Sequence, residues 1–545
     1  MDLDIEILFE NLKLGFGIFK NMSILSPSTE KLIRQFKSFV LAKPEPGPTI
    51  HVDYIASKVA SFYEQIRKVV DYQEEHLFRK NAIDRMLRRR LIIQINHKDE
   101  MAQSLICELI RAGYLPNDAI SENKIETVEK IINKYIWLID DSSGLPPKER
   151  EKTFNWLINL ASCEIEEKLA PPSKDQALAD YMYETIKGRI VLRNTNLNED
   201  EKNTQIFIAI QKALLRVDNA LLNYRLLRWR YPQWSENNHE FIAQISPRLT
   251  SLKQSLANEI NQPLGAKFFQ ISNQYNTPYL ILGDVLLENP NSLDSQPENL
   301  EEPIREAYAK RYKRSKNKLR RAAVYSTLSI FITKVLMALA IEIPFDLYII
   351  KQLIPLNLGI NILFPPVLMF LIVVSIRPPK EENAQKVVLE VMKIIYQTKT
   401  REEYEIKLAR KRNWLLRMVI HLFYLITFLI TFGLIIWGLL KLRFTWLSMV
   451  IFLVFISLIC FAGLRIRQRS KELSVEKEKE SGWVFWIELF SLPLVRVGKW
   501  LSHQWAKFNI IIIIFNLILE VPFQIFVEFL ENWRHFLKEK KEEIQ

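Results

Sequence analysis

The chain is poor in the residues on which most enzyme sites depend. Its 545 residues include 14 glycines, 3 cysteines and 7 histidines. It contains no phosphate-binding loop, dinucleotide-binding fingerprint, zinc-protease motif, nucleophile elbow or kinase signature, and its histidines lack the spacing of metal ligands. The sequence therefore predicts a protein that is not an enzyme and has no catalytic residue, metal site or cofactor.

Cysteine is also too scarce for a disulfide framework. Cys107, Cys163 and Cys460 lie far apart, and three cysteines cannot all pair within one chain. This favours a reducing compartment for the water-soluble part. The first residues, MDLDIEILFENL, are acidic and lack the basic and long apolar regions of a secretory leader. Internal segments are therefore expected to direct membrane insertion.

What the chain does have is long apolar runs, all in its second half. About 20 helical residues, at about 1.5 Å each, cross a hydrocarbon core of about 30 Å. Four runs reach this length, namely 322–341, 356–376, 418–440 and 444–464. Pro365 and Pro366 predict a kink in the second run. The predicted fold class is all-α, with a helical soluble N-terminal domain followed by a polytopic α-helical membrane domain.

A cationic collar precedes the first apolar run. Eight of the twelve residues from 310 to 321 are basic and none is acidic. The basic residues are Lys310, Arg311, Lys313, Arg314, Lys316, Lys318, Arg320 and Arg321. Such a cluster resists transfer across a membrane and attracts anionic lipid headgroups. Because its place beside a span accounts for it, a bilayer with anionic headgroups is the predicted partner and no nucleic acid is expected.

The distribution of Lys and Arg around the apolar runs predicts their orientation. Segment 377–417 has eleven of these residues and 465–480 has six, whereas 342–355 has one and 441–443 has two. Loops rich in Lys and Arg stay in the cytoplasm. The sequence therefore predicts a multi-pass protein of the cytoplasmic (inner) membrane with a cytoplasmic N-terminus.

The chain divides into five predicted regions. They are N-terminal helices with a Pro-rich linker (1–49), a helical cytoplasmic domain (50–287), a hinge (288–309), the membrane domain with its collar (310–480), and the tail (481–545). Apolar spacing in the cytoplasmic domain predicts a helix over 206–229. Residues 189–192 and 279–282 are the only strand candidates. Arg88, Arg89 and Arg90 are read as a solvated helix face or, less strongly, as a binding patch.

The tail allows two arrangements. Six aromatic residues mixed with charges predict a helix at the membrane interface; they are Trp483, Phe485, Trp486, Phe490, Trp500 and Trp505. The apolar run 508–519 is too short to cross a bilayer, since twelve residues reach only about 18 Å. Extended to Leu530 it could cross. The sequence is compatible with a re-entrant or surface-lying segment and with a fifth span.

Five ionisable residues lie within or beside the apolar runs: Lys334, Glu342, Asp346, His421 and Glu520. Charge inside a membrane is a hypothesis of function, and one reading has Lys334 paired with Glu520 or another carboxylate along an ion pathway. The favoured reading has Lys334 tolerated among polar neighbours, with the other charges near the membrane surfaces. Because eight helical residues separate Lys334 from Glu342 by about 12 Å, a direct pair between them is not expected.

Two segments carry a resemblance to a known group of proteins. The runs LFPPVLMFLIVVSIRPPKEEN (363–383) and IFIAIQKALLRVDNALLNYRLLRWRYPQW (206–234) resemble bacterial integral membrane proteins that join a helical cytoplasmic domain to a C-terminal membrane domain. That group has no assigned activity. The resemblance implies a bacterial inner membrane and supplies no catalytic or binding residue.

Two functions follow as expectations. The first is a non-enzymatic, membrane-anchored helical scaffold with a protein partner for the cytoplasmic domain, and a homo-oligomer is compatible with it. Such a protein should show a groove on the cytoplasmic domain and a dry membrane core. The alternative is a small-solute or ion transporter or channel, in which polar groups should converge on a shared cavity inside the bundle.

Overall fold

The computed structural model describes most of the chain. The described residues are 25–41, 47–52, 75–93, 101–193, 197–236, 238–294, 297–351, 354–376, 382–396, 404–407, 414–470 and 482–507, with positions 529, 533 and 536. The first eleven helices are α1 Pro27–Leu41, α2 Glu75–Ile93, α3 Met101–Arg111, α4 Asn123–Asp141, α5 Pro147–Leu169, α6 Ser173–Lys187, α7 Glu199–Ala213, α8 Asn219–Arg230, α9 His239–Ile245, α10 Leu249–Ile260 and α11 Gly265–Gln274. The others are α12 Asn276–Glu288, α13 Glu301–Met337, α14 Pro355–Val374, α15 Glu382–Tyr396, α16 Trp414–Lys441, α17 Trp446–Ser470 and α18 Gly482–Lys507.

Almost all of these residues are helical, which confirms the all-α prediction. Among the described residues, two strands, β1 Ile190–Arg193 and β2 Tyr404–Lys407, pair in a two-stranded sheet, and turns and loops connect the helices. The strand predicted at 189–192 is therefore confirmed to within one residue. The strand predicted at 279–282 is wrong, because these residues lie inside α12. A short apolar run does not distinguish a buried strand from a buried stretch of helix.

Contacts between Cα atoms divide the chain into two units. Among the described residues, the first unit comprises 25–276 and 404–406, and the span unit comprises 277–396 and 407–507.

In the first unit, helices pack around α5. This helix contacts α2, α4 and α8, while α7 packs on α11 and α1 on α6. Its buried apolar side chains include Leu157, Leu160 and Ile165, which are 0% exposed. Burying side chains of this size stabilises the fold by about 1.5–3 kcal/mol each. The core is therefore built on one central helix.

The long helix predicted over 206–229 is two helices in the structure. α7 ends at Ala213, and Arg216 takes a left-handed backbone conformation with φ 51°. Asp218 then caps α8, since its carboxylate accepts a hydrogen bond from the backbone N–H of Leu221 at 2.8 Å. Asp is among the preferred residues at a helix N-terminus. The apolar spacing continues across the break and conceals it.

The span unit contains four helical segments long and apolar enough to cross a membrane. They are Glu301–Ile350, Pro355–Val374, Trp414–Lys441 and Trp446–Gln468. Large apolar side chains remain exposed on them, among them Leu336 at 61%, Phe370 at 57% and Leu434 at 62%. Apolar surface of this extent marks contact with lipid or with another protein. The coarse prediction of four apolar helices is thus confirmed.

The first of these segments is longer than its predicted span. The collar and the last residues of the predicted hinge belong to α13, and helical structure continues past Met337 through Ala338–Glu342, Ile343–Phe345 and Asp346–Ile350. The first and third of these continuations are π-helical, with a wider turn than an α-helix. The segment ends at Lys351, whose φ of 59° is left-handed.

The remaining helices of the span unit pack on one another in a chain of contacts. α13 packs on α14, α14 on α17, and α17 and α16 on α18. α14 contains Pro365 and Pro366 and is nevertheless helical from end to end. α18 confirms a helix at the start of the predicted tail region. The segment 508–528, on which the choice between a re-entrant segment and a fifth span depends, lies outside the described residues.

Candidate functional site

A buried ion pair lies inside the span unit. The ammonium Nζ of Lys334, on α13, donates to Glu342 Oε1 at 2.6 Å, and Nδ2 of Asn361, on α14, donates to Glu342 Oε2 at 2.6 Å. The three residues are 0%, 1% and 2% exposed. Both carboxylate oxygens of Glu342 are therefore engaged, one by a cation and one by an amide.

The expectation that Lys334 and Glu342 do not pair is wrong. Eight residues of ideal α-helix make about 2.2 turns, which sets the two side chains on different faces. Here Ala338–Glu342 is π-helical, so each turn contains more residues than in an α-helix. The wider turn brings Glu342 onto the same face of the helix as Lys334. The two long side chains then span the distance along the helix between residues 334 and 342.

A third helix completes the surroundings of Lys334. Nζ lies 5.0 Å from the centroid of the Phe455 ring, which belongs to α17. A cation over the face of an aromatic ring is attracted by the negative charge of the ring face. The cluster of Lys334, Glu342, Asn361 and Phe455 therefore joins α13, α14 and α17; we call it the span cluster.

The span cluster also contains an acceptor without a partner among the described residues. Oδ1 of Asn361 is buried and accepts no hydrogen bond from any described residue. Pro365 lies four residues after Asn361 and Pro366 four residues after Ile362, so neither supplies the N–H that would bond those backbone carbonyls. The backbone carbonyls of Asn361 and Ile362 thus lack the hydrogen bond that a regular α-helix would give them.

The other predicted site residues are separate from this cluster. Asp346 is half-buried on the second π-helical turn, and its Oδ1 has no hydrogen-bond partner among the described residues. His421 is exposed on α16, where its Nδ1 donates to the backbone carbonyl of Arg417 at 2.7 Å. Glu520 lies outside the described residues. The structure therefore pairs Lys334 with Glu342 and leaves the predicted pairing with Glu520 as a prediction.

Sequence reasoning missed Asn361 and Phe455. Asn361 carried a usable signal, since it is a polar residue in an apolar run, four positions before a proline. Phe455 carried none, because it is one of several phenylalanines in its helix.

A second set of buried charges lies in the first unit and begins at Glu164 on α5. Its carboxylate accepts hydrogen bonds from Lys134 Nζ at 2.6 Å and from the Tyr135 hydroxyl at 2.8 Å. Trp234 Nε1 in turn donates to the Tyr135 oxygen at 3.0 Å. Lys134 and Glu164 are 4% and 0% exposed, so this is a dry ion pair. It fixes α4 on α5.

The next two carboxylates of α5 are paired in the same way. Glu166 accepts from Arg79 Nη2 at 2.9 Å, and Glu167 accepts from Arg225 Nε at 2.7 Å and from Arg228 Nη1 at 2.5 Å. Glu166 is 2% exposed and Glu167 is 5% exposed. These pairs connect α2 and α8 to α5. Local sequence patterns do not indicate these pairs, because their partners come from distant parts of the chain.

Burial controls the protonation of this region. It raises the pKa of Glu166 from 4.5 to about 7, with Arg79 acting in the opposite direction. It also raises the pKa of the Cys163 thiol well above its usual range, and Cys163 is 0% exposed. A reactive cysteine needs an accessible thiolate. The arrangement around Cys163 therefore suits a structural residue rather than a nucleophile.

The arginine run on α2 has structural partners. Arg88 bonds to Asp84, and Arg89 and Arg90 both bond to Glu108, at 2.7 Å and 2.6 Å. Their environment is thus neither a solvated face nor an open patch. Within the described ranges, no three His, Cys, Asp or Glu side chains come together in a group that could hold a metal ion.

Comparisons of the chain with protein-family models, with curated proteins and with solved structures found no match. Any assignment of function therefore depends on the geometry of the protein itself.

Proposed function

We propose that this protein is a non-enzymatic helical scaffold, anchored in a membrane by the span unit, whose first unit binds a protein partner. The observation that supports the proposal is a groove of about 550 Å³ on the first unit, at the junction of α2 to α5. Its floor is apolar and consists of Leu91, Met101, Ile136, Ile139, Leu145 and Phe154.

The occupant we propose is an amphipathic helix of a partner protein. Asp140, Arg150 and Glu151 stand on the rim of the groove, so charges of both signs surround its apolar floor. A helix with an apolar stripe between acidic and basic residues matches this pattern, since such helices place apolar side chains three and four positions apart into grooves. A rim with both signs of charge is a poor match for an anionic lipid surface.

The span unit supplies the anchor. We propose a multi-pass arrangement in the cytoplasmic membrane with the collar and the first unit in the cytoplasm. One support is that two loops poor in Lys and Arg meet at one end of the unit. Asn357 Nδ2 donates to the backbone carbonyl of Arg443 at 2.9 Å, and the rings of Phe345 and Trp446 lie 5.5 Å apart. The collar lies on the same long helical segment, more than six turns before this end.

Capture of a partner through the groove tests the scaffold proposal. The full chain is crosslinked in cells, the captured protein is identified, and its binding to the purified chain is measured. Ile136→Glu places a charge on the floor and should weaken binding at least tenfold. Trp137→Glu is the matched control, because Trp137 is 44% exposed on the same helix and does not line the groove.

A second groove variant distinguishes a loss of binding from a loss of the fold. Leu145→Lys alters a half-buried loop position, where the fold tolerates a charge, and should weaken binding as Ile136→Glu does. Circular dichroism establishes that the variants are folded. Recovery of no reproducible partner, or equal binding by the groove variants and the control, contradicts the proposal.

The orientation has its own test. Protease added outside intact cells should leave the first 300 residues whole, and protease added to inverted membrane vesicles should degrade them. Degradation from outside would reverse the proposed orientation while leaving the groove proposal standing.

A second candidate function is transport of a small solute or ion, and the span cluster is the observation that favours it. Buried charge inside a span is a hypothesis of function, and here it lies beside Asn361 Oδ1, a buried acceptor without a partner among the described residues. Against it, both oxygens of Glu342 are already engaged. Lys334→Leu should abolish flux through proteoliposomes if the cluster lines a pathway. Unchanged flux would dismiss this candidate.

A further inference from the structure

A second groove lies in the span unit, between α13 and α14. It has a volume of about 850 Å³ and is half open to its surroundings. On α13 it extends from Tyr312 to Phe331, and on the α14 side from Pro366 to Ile376. The groove thus begins within the collar and continues along the first apolar run.

Its lining changes character along its length. Lys316 and Arg320 stand at the collar end, one turn apart on α13, together with the hydroxyl groups of Tyr312 and Ser315. Beyond Arg320 the lining is apolar except for one threonine. A cationic and hydroxylic mouth therefore leads into an apolar slot.

The two cations at the mouth differ from the first two residues of the collar. Arg311 is held by Asp284 at 2.6 Å, and Lys310 by Glu288 at 2.9 Å. Lys316 and Arg320 are exposed, and no acidic side chain pairs with either of them in the part of the chain that the structure describes. Their charge is available to an anion from outside the protein.

The length of the apolar slot matches one leaflet of a bilayer. From Arg320 to Phe331 there are eleven residues, or about 16 Å of helix, against about 15 Å for half of a hydrocarbon core of about 30 Å. An acyl chain that begins at the depth of Arg320 would end near Phe331. Charge and length together specify a molecule with an anionic head and a long apolar tail.

We propose that this groove holds one anionic phospholipid, with its phosphate between Lys316 and Arg320 and an acyl chain between α13 and α14. This is a defined, saturable site, distinct from the diffuse attraction of the whole collar for a charged surface. It requires only that the span unit lies in a bilayer and is independent of the partner groove on the first unit.

Titration of the full chain with a lipid tests the site. The chain is reconstituted in phosphatidylcholine nanodiscs, dioleoyl phosphatidylglycerol is added, and bound lipid is counted by native mass spectrometry. One tightly held molecule per chain is expected. Lys316→Ala with Arg320→Ala should weaken its binding about thirtyfold, since each cation near the surface contributes about 1 kcal/mol and about 1.4 kcal/mol is tenfold.

The collar itself provides the matched control. Arg314 and Lys318 project from the opposite face of α13 and do not line the groove. Arg314→Ala with Lys318→Ala removes one Arg and one Lys, the same charge as the test variant, and should leave binding within twofold of wild type. An equal loss in the two double variants would show that the collar acts diffusely and would overturn the site.

A third arm tests the acyl slot while the charges stay in place. Ala323→Phe fills the groove just beyond Arg320 and should weaken binding of the long-chain lipid at least tenfold. Glycerol phosphate, which carries the head without a tail, should not displace the bound lipid. Full lipid affinity in the Ala323→Phe variant, or displacement by glycerol phosphate, would place the lipid outside the slot and overturn the proposal.

Discussion

Gly498 lies directly against the backbone carbonyl of Ser457, where α18 crosses α17. A Cβ atom on residue 498 would overlap this carbonyl and come 2.9 Å from Cβ of Phe461. The obstacle is backbone, which cannot rotate away as a side chain can. Small residues allow helices of membrane proteins to approach in this way, so Gly498 sets the distance between the two helices.

Gly498→Ala should therefore separate α18 from α17 and lower the stability of the span unit. The expected readout is a fall in the midpoint of thermal unfolding in detergent. Gly433→Ala is the control, because nothing lies within 4 Å of a Cβ there, and it should raise the midpoint slightly since alanine favours helix. Equal midpoints for the two variants would contradict the close approach.

The ion pair between Lys334 and Glu342 predicts that each single variant is less stable than the double variant. Either Lys334→Leu or Glu342→Leu leaves a buried charge without its partner and should cost about 3–5 kcal/mol. The double variant removes both charges and should recover most of this loss. Unfolding of the three variants in detergent provides the comparison. Additive losses in the double variant would mean that the two charges do not interact.

Substitution of Glu167 should be among the most destabilising changes in the first unit. Glu167→Gln leaves Arg225, which is 4% exposed, without its carboxylate and should destabilise the unit by about 3–5 kcal/mol. Hydrogen exchange of α5 and α8 in the full chain measures the effect. Glu126→Gln removes an exposed pair with Lys130 and should leave exchange unchanged. A similar response to both substitutions would refute the distinction between buried and surface pairs.

Glu166 predicts a dependence of stability on pH. Because burial raises its folded pKa from 4.5 to about 7, protonated Glu166 stabilises the folded state. This stabilisation is complete below about pH 4.5 and is lost as pH rises through about 7. At about 1.4 kcal/mol per pKa unit it amounts to about 3 kcal/mol.

Comparison with Glu166→Gln isolates this contribution, since glutamine does not titrate. Wild-type stability minus variant stability should fall by about 3 kcal/mol between pH 4.5 and pH 8. Chemical unfolding of the two proteins across this range, followed by fluorescence, gives the difference. A constant difference, or one that rises with pH, would place the folded pKa of Glu166 at or below its ordinary value.

Coarse features of the span unit were predictable from sequence, and its site was predictable only in part. The length of an apolar run shows whether a helix can cross a membrane, so the four runs predicted the four apolar helices. The partner of Lys334 was not predictable, because it depends on a π-helical turn at Ala338–Glu342 that changes which side chains share a face. Asn361 joins from another helix, and only the packing of α13 on α14 brings it to Glu342.

In the first unit, too, local features were predictable and contacts between distant residues were not. Periodicity located apolar faces, but it joined α7 to α8 because the spacing of buried residues continues through Arg216. It carries no information on the burial of the carboxylates of α5. An ionised glutamate in a core needs a cation beside it, and here the cation comes from a different part of the chain, as Arg225 reaches Glu167. Such pairs are long-range, and local patterns do not encode them.

The sequence by itself determined that the protein is helical and that four of its helices suit a bilayer, because hydrophobic length and helical period are local properties. Tertiary structure decided which charges meet. Lys334 reaches Glu342 through a widened turn, and the groove between α13 and α14 combines Arg320 on one helix with Phe370 on the other. Packing contacts and hydrogen-bonded ion pairs form only within a few ångströms, so they depend on distances that only the folded chain sets.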